Sequence, residues 1–197
     1  MLERFNGRET GRRMRHPGTP GVFAIVFDVS GSMCGKEEAA FAALAEVKQD
    51  VPKARIFLFA SEAAEWRPPS RKPDVGGGTC MHYGIEAAAK IQPSKTVIIS
   101  DGGTEHIHAL AAAEKLTGAI DTLWCYSVRP FACKDRDLMI DLARMSGGQA
   151  RDLNVDTLDA RAMHRIVMES MTIYLRGERH IHHHRPPQHV HIYHGGR

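Results

Sequence analysis

The first regular pattern in the chain is Val22-Phe23-Ala24-Ile25-Val26-Phe27-Asp28, an apolar run closed by a carboxylate. A continuous apolar run of this kind is typical of a strand buried on both faces, as in a parallel sheet. A turn-forming stretch, Ser30-Gly31-Ser32, follows at once, and residues 36–50 then carry apolar side chains at helical spacing. The pattern predicts a buried strand that leads through a polar turn into a helix.

The same alternation of strands and helices continues along the chain. We expect strands at residues 55–60, 96–100, 121–128 and 149–153, a short edge strand at 63–67, and helices at 81–91, 105–117, 135–146 and 157–175. This order predicts an α/β fold of the doubly wound type, a mostly parallel sheet with helices on both faces and one short antiparallel edge strand. The predicted domain spans residues 21–176.

The two ends of the chain differ from this domain in composition. Residues 1–20 carry five arginines against two glutamates and are interpreted as a flexible basic arm, whereas residues 177–197 form a His-rich tail that we expect to be disordered. The formal net charge of the chain is +3, but residues 21–176 alone carry −2. A nucleic-acid-binding face on the domain is therefore not expected. Metal binding by the tail remains an alternative, as does contact of the arm with nucleic acid or an acidic partner.

The cysteines and the apolar segments indicate a compartment. No pair among Cys34, Cys80, Cys125 and Cys133 forms a C-x-x-C motif, so we expect reduced thiols in a cytoplasmic protein. Cys125 lies in an apolar strand and is expected in the core; Cys34 and Cys80 are either buried thiols or redox-active ones. The Arg-rich start lacks the apolar segment of a signal peptide, and no apolar run approaches the roughly 20 residues of a membrane span.

Polar side chains follow several of the predicted strands at the point where the chain turns. Asp28, Ser30 and Ser32 come after the first strand, Thr79 follows three consecutive glycines, and Asp101 ends a later strand. The carboxyl ends of parallel strands share one edge of the sheet, where α/β proteins bind ligands. Two carboxylates and three hydroxyls are hard oxygen donors that suit Mg²⁺ or Mn²⁺ rather than zinc. These residues are therefore a candidate metal site.

The five residues and the phrases around them resemble the metal-ion-dependent adhesion site of von Willebrand factor A (vWA) domains. The phrases are F-D-V-S-G-S-M, G-G-G-T and I-I-S-D-G, and the resemblance covers the whole predicted domain. It implies that Ser30, Ser32 and Thr79 contact the ion and that Asp28 and Asp101 act directly or through water. It also implies an open coordination position that an Asp or Glu of another protein fills.

The resemblance implies a binding module rather than an enzyme. We expect a divalent-cation-dependent protein–protein interaction, with the chain as an accessory or adaptor subunit of an intracellular complex. An AAA+ ATPase or a stress-operon protein is the kind of partner that such domains serve. His82, Glu105 and His106 are candidates for the partner-binding rim of the site, or are instead solvated loop and helix-start residues.

Two other functions compete with this interpretation. The first is a metal-assisted phosphatase or hydrolase that uses Asp28 as a nucleophile or a water activated by the metal. Enzymes of the haloacid-dehalogenase type need a second Asp two residues after the first, where this chain has Ser30, and no Ser–His–Asp set or P-loop is evident. The second is a structural subunit whose metal site is idle.

Overall fold

A computed structural model describes residues 18–33, 37–127, 135–157 and 159–181 of the chain. The strands are β1 (Thr19–Asp28), β2 (Ala54–Phe59), β3 (Ala63–Trp66), β4 (Pro93–Ser100), β5 (Ala119–Tyr126) and β6 (Ala150–Asn154). The helices are α1 (Glu37–Asp50), α2 (Met81–Ala89), α3 (His106–Ala113), α4 (Arg136–Ser146) and α5 (Ala160–Ile181).

The strands form one sheet in the order β3-β2-β1-β4-β5-β6. All neighbouring pairs are parallel except β2 and β3, so the predicted doubly wound sheet with one antiparallel edge strand is confirmed. Strand β1 lies between β2 and β4, which makes the carboxyl ends of β1 and β4 the point where the strand order reverses. Because Phe27 is paired with Ile99, the next residues, Asp28 and Ser100, end the two strands side by side.

The alternation of side chains in β1 divides the core into two layers. Phe23, Ile25 and Phe27 pack with α1 and α5 on one face of the sheet. Ala24 and Val26 pack with α2, α3 and α4 on the other face. All five side chains are buried, so β1 is sealed from water along this stretch and delivers Asp28 to a fixed position.

Helix α2 approaches the sheet closely at Gly84. A Cβ atom at this position would lie 2.8 Å from Val26 Cγ1 and 2.9 Å from Phe59 Cδ1, which is closer than atoms pack. The absence of a side chain thus sets the distance between α2 and the strands β1 and β2. Since α2 begins at Met81, this packing also determines how close the loop that carries Thr79 lies to the sheet.

Most element boundaries differ by a few residues from the sequence prediction, and three of these differences have a clear cause. Strand β1 begins at Thr19, before the predicted domain start at 21. The prediction missed this start because Pro20 and Gly21 are not typical strand residues, and the pairing of β1 with β4 is irregular between Thr19 and Phe23. The backbone of α5 continues to Ile181, past the predicted domain end at 176, since no proline interrupts it there. Helix α3 ends at Ala113 rather than at residue 117 because the chain tightens into a turn there.

The predictions for the cysteines, the chain ends and membrane spans are only partly covered by the described residues. Cys34, Cys133, most of the basic arm and most of the His-rich tail lie outside them. Cys125 is buried in β5, and burial raises the pKa of its thiol above the ordinary range, as a core position requires. Within the part of the chain that the structure covers, no helix is both long and apolar enough to span a membrane.

Gly84→Ala tests the close packing of α2. The added methyl group meets Val26 and Phe59, so we expect the free energy of unfolding to fall by about 1–2 kcal/mol, net of the gain in helix propensity. Urea denaturation measures it. Gly77→Ala is the matched control, because no heavy atom lies within 4 Å of a Cβ there. Equal stability of the two variants would contradict the close approach.

Candidate metal centre

The carboxylate of Asp28 lies at the end of β1 with no exposed surface. Its Oδ1 accepts a hydrogen bond from the Ser30 N–H at 2.8 Å, and its Oδ2 accepts one from the Ser100 hydroxyl at 2.6 Å. The first bond is the local side-chain-to-backbone contact that makes Asp favourable before a turn. One oxygen is therefore oriented by the neighbouring strand β4 and the other by the turn that directly follows β1.

Burial dominates the electrostatics of this carboxylate. Desolvation raises the pKa of Asp28 from 3.8 to about 6; hydrogen bonds from Ser100 and Ser30 counteract the rise, and the nearby charge of Asp101 adds to it. Two carboxylates are thus held near each other at the switch point of the sheet. A cation between or beside them would offset both the desolvation and the repulsion.

The turn after β1 presents two hydroxyl groups side by side. Ser30 is buried and Ser32 is exposed, and their Oγ atoms are 3.1 Å apart. The turn is a short 3₁₀ segment at Gly31–Met33, closed by the Met33 N–H donating to the Ser30 carbonyl at 2.9 Å. The oxygen atoms of Asp28, Ser30 and Ser32 therefore extend from the buried end of β1 to the protein surface.

Asp101 follows β4 and is 1% exposed. Its Oδ1 accepts a hydrogen bond from the Gly103 N–H at 2.9 Å. Its Oδ2 is buried and finds no hydrogen-bond donor among the described residues. A buried carboxylate oxygen without a donor is costly, and native proteins usually satisfy such atoms with water, an ion or a protein group.

Thr79 reaches the same edge from the loop before α2. Neighbouring residues anchor this loop to the β2–β3 connection, since the Gly78 N–H donates to Ser61 Oγ at 2.8 Å and the Cys80 N–H donates to the Ala60 carbonyl at 2.7 Å. Thr79 then faces the turn after Asp101 across an open cleft of about 490 Å³. The other residues that line this cleft are Gly102, Gly103, Thr104, Glu105 and Asp135.

The candidate ligands at this edge of the sheet are all oxygen donors, which favour hard divalent cations. Asp28, Ser30 and Ser32 are linked by direct contacts, Asp101 directly follows the adjacent strand, and Thr79 borders the cleft beside the turn after Asp101. Across the described ranges, no three side chains of His, Cys, Asp or Glu are grouped so that they could hold a metal ion. Two carboxylates with hydroxyl oxygens fit a hard cation such as Mg²⁺ or Mn²⁺. Oδ2 of Asp101, which lacks a donor among the residues described, is the atom that such an ion would satisfy.

The three candidate rim residues occupy different environments. Glu105 lines the cleft, its side chain is 78% exposed, and it pairs with His108 at 2.9 Å. His106 is instead engaged through Nε2 with the carboxylate of Asp135. His82 packs its ring against His108, and its Nδ1 is buried without a hydrogen-bond partner in the described part of the chain. Of the three, only Glu105 borders the cleft.

Sequence reasoning missed two residues that hold the site. Ser100 stood inside the I-I-S-D-G phrase but was interpreted only as the last residue of a strand, although its hydroxyl orients Asp28. Asp135 carried no signal beyond its place before a helix, yet it lines the cleft and its N–H donates to the Asp101 carbonyl at 3.1 Å.

The strand order and the position of this site define an α/β fold that resembles the vWA domain. A von Willebrand factor type A protein of Catenulispora acidiphila superposes with a TM-score of 0.59 at 16% identity, over 76% of this chain and 42% of that one. BatB, a conserved hypothetical protein of Bacteroides thetaiotaomicron, superposes with a TM-score of 0.55 at 16% identity, over 79% of this chain and 99% of that one. At this identity the likeness concerns the fold alone.

The chain spans well under half of the Catenulispora protein. No family model matches the sequence, and no curated protein matches it. The vWA-like fold is therefore established by the structure, whereas the function has to be argued from the residues of the site.

Asp28→Asn tests the burial of this carboxylate. As pH rises from about 4 to 6, the unfolded chain loses the Asp28 proton before the folded chain does, so the metal-free protein loses stability. The variant lacks this loss. We expect the free energy of unfolding of the variant, minus that of the unsubstituted protein, to increase by on the order of 2 kcal/mol between pH 4 and pH 7.5. Urea denaturation with a chelator measures it, and a difference independent of pH would refute the raised pKa.

Proposed function

We propose that this chain is a divalent-cation-dependent protein-binding module. Asp28, Ser30, Ser32, Thr79 and Asp101 hold Mg²⁺ or Mn²⁺ at the carboxyl edge of the sheet, and a partner protein supplies a carboxylate to the ion. The observation that carries the proposal is the buried Oδ2 of Asp101, which has no hydrogen-bond donor among the described residues and lies near a second buried carboxylate at the strand switch point.

The charge and the shape of the site favour an external anionic ligand. The two aspartates balance the charge of one divalent ion, and Mg²⁺ in proteins keeps coordination positions for other oxygen ligands. The cleft beside Thr79 and the Gly102–Gly103 turn is open to solvent, and Ser32 is exposed. An Asp or Glu on a protruding segment of another protein fits both conditions, because it brings charge and needs little space.

The environment of Asp28 argues against a nucleophilic role for this residue. It has no exposed surface, and both of its oxygens accept hydrogen bonds from Ser30 and Ser100. A nucleophile must be accessible to its substrate, which a side chain without exposed surface is not, whereas each hydrogen-bonded carboxylate oxygen keeps a second lone pair that can serve an ion. The proposed role of Asp28 is therefore to hold the cation and the adjacent turn.

The setting of the module follows from the family resemblance. We propose an accessory or adaptor subunit of a cytoplasmic complex, with an AAA+ ATPase or a stress-operon protein as the class of partner. The exposed side chain of Glu105 borders the cleft and is the rim residue best placed to contact such a partner. Its negative charge would help to exclude segments with additional acidic residues.

The double variant Asp28→Ala/Asp101→Ala tests the metal site directly. We expect saturable Mn²⁺ and Mg²⁺ binding to the full chain by calorimetry and loss of this binding in the variant, because two of the proposed oxygen donors are removed. The His-rich tail is present in both proteins, so the difference reports the site alone. Equal binding by both folded proteins would show that the ion sits elsewhere.

Acetate tests the open coordination position. The relaxation of water protons by protein-bound Mn²⁺ depends on exchangeable water at the ion. We expect acetate to lower this relaxation, because a carboxylate replaces water, and acetamide at the same concentration to leave it unchanged. A Mn²⁺-loaded protein that responds identically to acetate and acetamide would argue against carboxylate recognition.

A further inference from the structure

One residue outside the candidate ligand set holds both ends of the loop that carries Asp101. We infer that Asp135 is a positioning residue for Asp101: it clamps the loop 101–106 through its backbone at one end and its side chain at the other. The inference rests on the proposed function, because positioning matters only where Asp101 serves a cation.

The first half of the clamp acts on the start of the loop. The Asp135 N–H donates to the Asp101 carbonyl at 3.1 Å, and the Trp124 Nε1–H donates to the same oxygen at 3.0 Å. The two segments are in close contact, since a Cβ atom on Gly102 would lie 2.1 Å from the Asp135 carbonyl oxygen. Gly102 also has φ +81°, a conformation that side chains rarely adopt. The turn after β4 is thus pressed against the start of α4.

The second half of the clamp acts on the end of the loop. One oxygen of the Asp135 carboxylate accepts the Leu138 N–H at 3.0 Å and caps α4, while the other pairs with Nε2 of His106, the first residue of α3. Partial burial raises the pKa of Asp135, but hydrogen bonds from Leu138 and His106 outweigh this effect and hold the pKa below its ordinary value. Asp135 is therefore ionised at neutral pH.

Contacts within the loop connect the clamp to the metal-site carboxylate. The Gly103 N–H holds Asp101 Oδ1, and the Thr104 N–H donates to the Gly102 carbonyl at 2.8 Å. With both loop ends fixed, Asp101 is held in the conformation in which Oδ2 accepts no hydrogen bond from the part of the chain that the structure describes. Loss of the contact between His106 and Asp135 lets the loop 101–106 adopt other conformations, and we expect this to weaken cation binding. Loss of an outer-shell partner in metal sites costs about 10- to 100-fold in affinity.

Two single variants and their combination test the clamp. His106→Ala removes the side-chain link and leaves Asp135 as the cap of α4. Asp135→Ser removes the same link, keeps the backbone N–H and retains a good N-cap residue. We expect each to weaken Mn²⁺ binding of the full chain by about 10-fold, at the low end of outer-shell effects, and the double variant to be no weaker than either single one.

A second His–Asp pair provides the matched control. His164 Nε2 lies 2.8 Å from Asp50 Oδ2 and joins α5 to the last residue of α1. His164→Ala should leave Mn²⁺ affinity unchanged. A second measurement uses the protein without metal. Amide hydrogen exchange in residues 101–106 should be faster in His106→Ala than in the unsubstituted protein, and unchanged in His164→Ala.

The outcomes separate this inference from the proposed function. If the unsubstituted protein binds Mn²⁺ and His106→Ala binds it equally well, the positioning role is wrong and the metal site stands. Additive losses in the double variant would also overturn it, because two independent effects would then be at work. If the unsubstituted protein binds no Mn²⁺, the proposed function fails, and unchanged exchange in the loop would remove the clamp as well.

Discussion

The buried carboxylate of Asp28 is the constraint on which the rest of the structure depends. A charge without exposed surface at the end of a central strand opposes folding, and burial accordingly raises the pKa of this group. The surrounding core offsets it, because β1 is covered by helices on both faces. Hydrogen bonds from Ser30 and Ser100 then fix the orientation of the carboxylate. A stable α/β core thus supports a polar site that would be unfavourable on a smaller scaffold.

The topology explains why the other candidate ligands lie at the same edge of the sheet. Parallel strands on either side of β1 bring their carboxyl ends to one edge, and the strand order reverses there, so the loops after β1 and β4 diverge and leave space between them. Asp101 enters that space from β4. Thr79, in the loop before α2, borders the cleft beside the Gly102–Gly103 turn, and the close packing at Gly84 holds the helix that follows this loop.

The sequence predicted the strands and helices of the domain well because buried parallel strands leave a direct signature. The apolar run 22–27 and the polar residues after it fixed both the fold class and the place of the candidate site. The start of β1 was less visible, since Pro20 and Gly21 do not resemble a strand. The pairing of His106 with Asp135 was invisible, because contacts between two loops depend on how α3 and α4 pack, and no periodicity encodes that.

The two carboxylates of the candidate site are held by different parts of the molecule. Asp28 is oriented by Ser100 on the neighbouring strand and by the Ser30 N–H in the turn directly after β1. Asp101 is oriented by helix starts, through Asp135 before α4 and His106 at the beginning of α3. Sheets are stiffer than loops between helices, so the geometry between the carboxylates changes mainly when α3 or α4 shifts. A partner that contacts Glu105 at the start of α3 would therefore act on Asp101 and leave Asp28 in place.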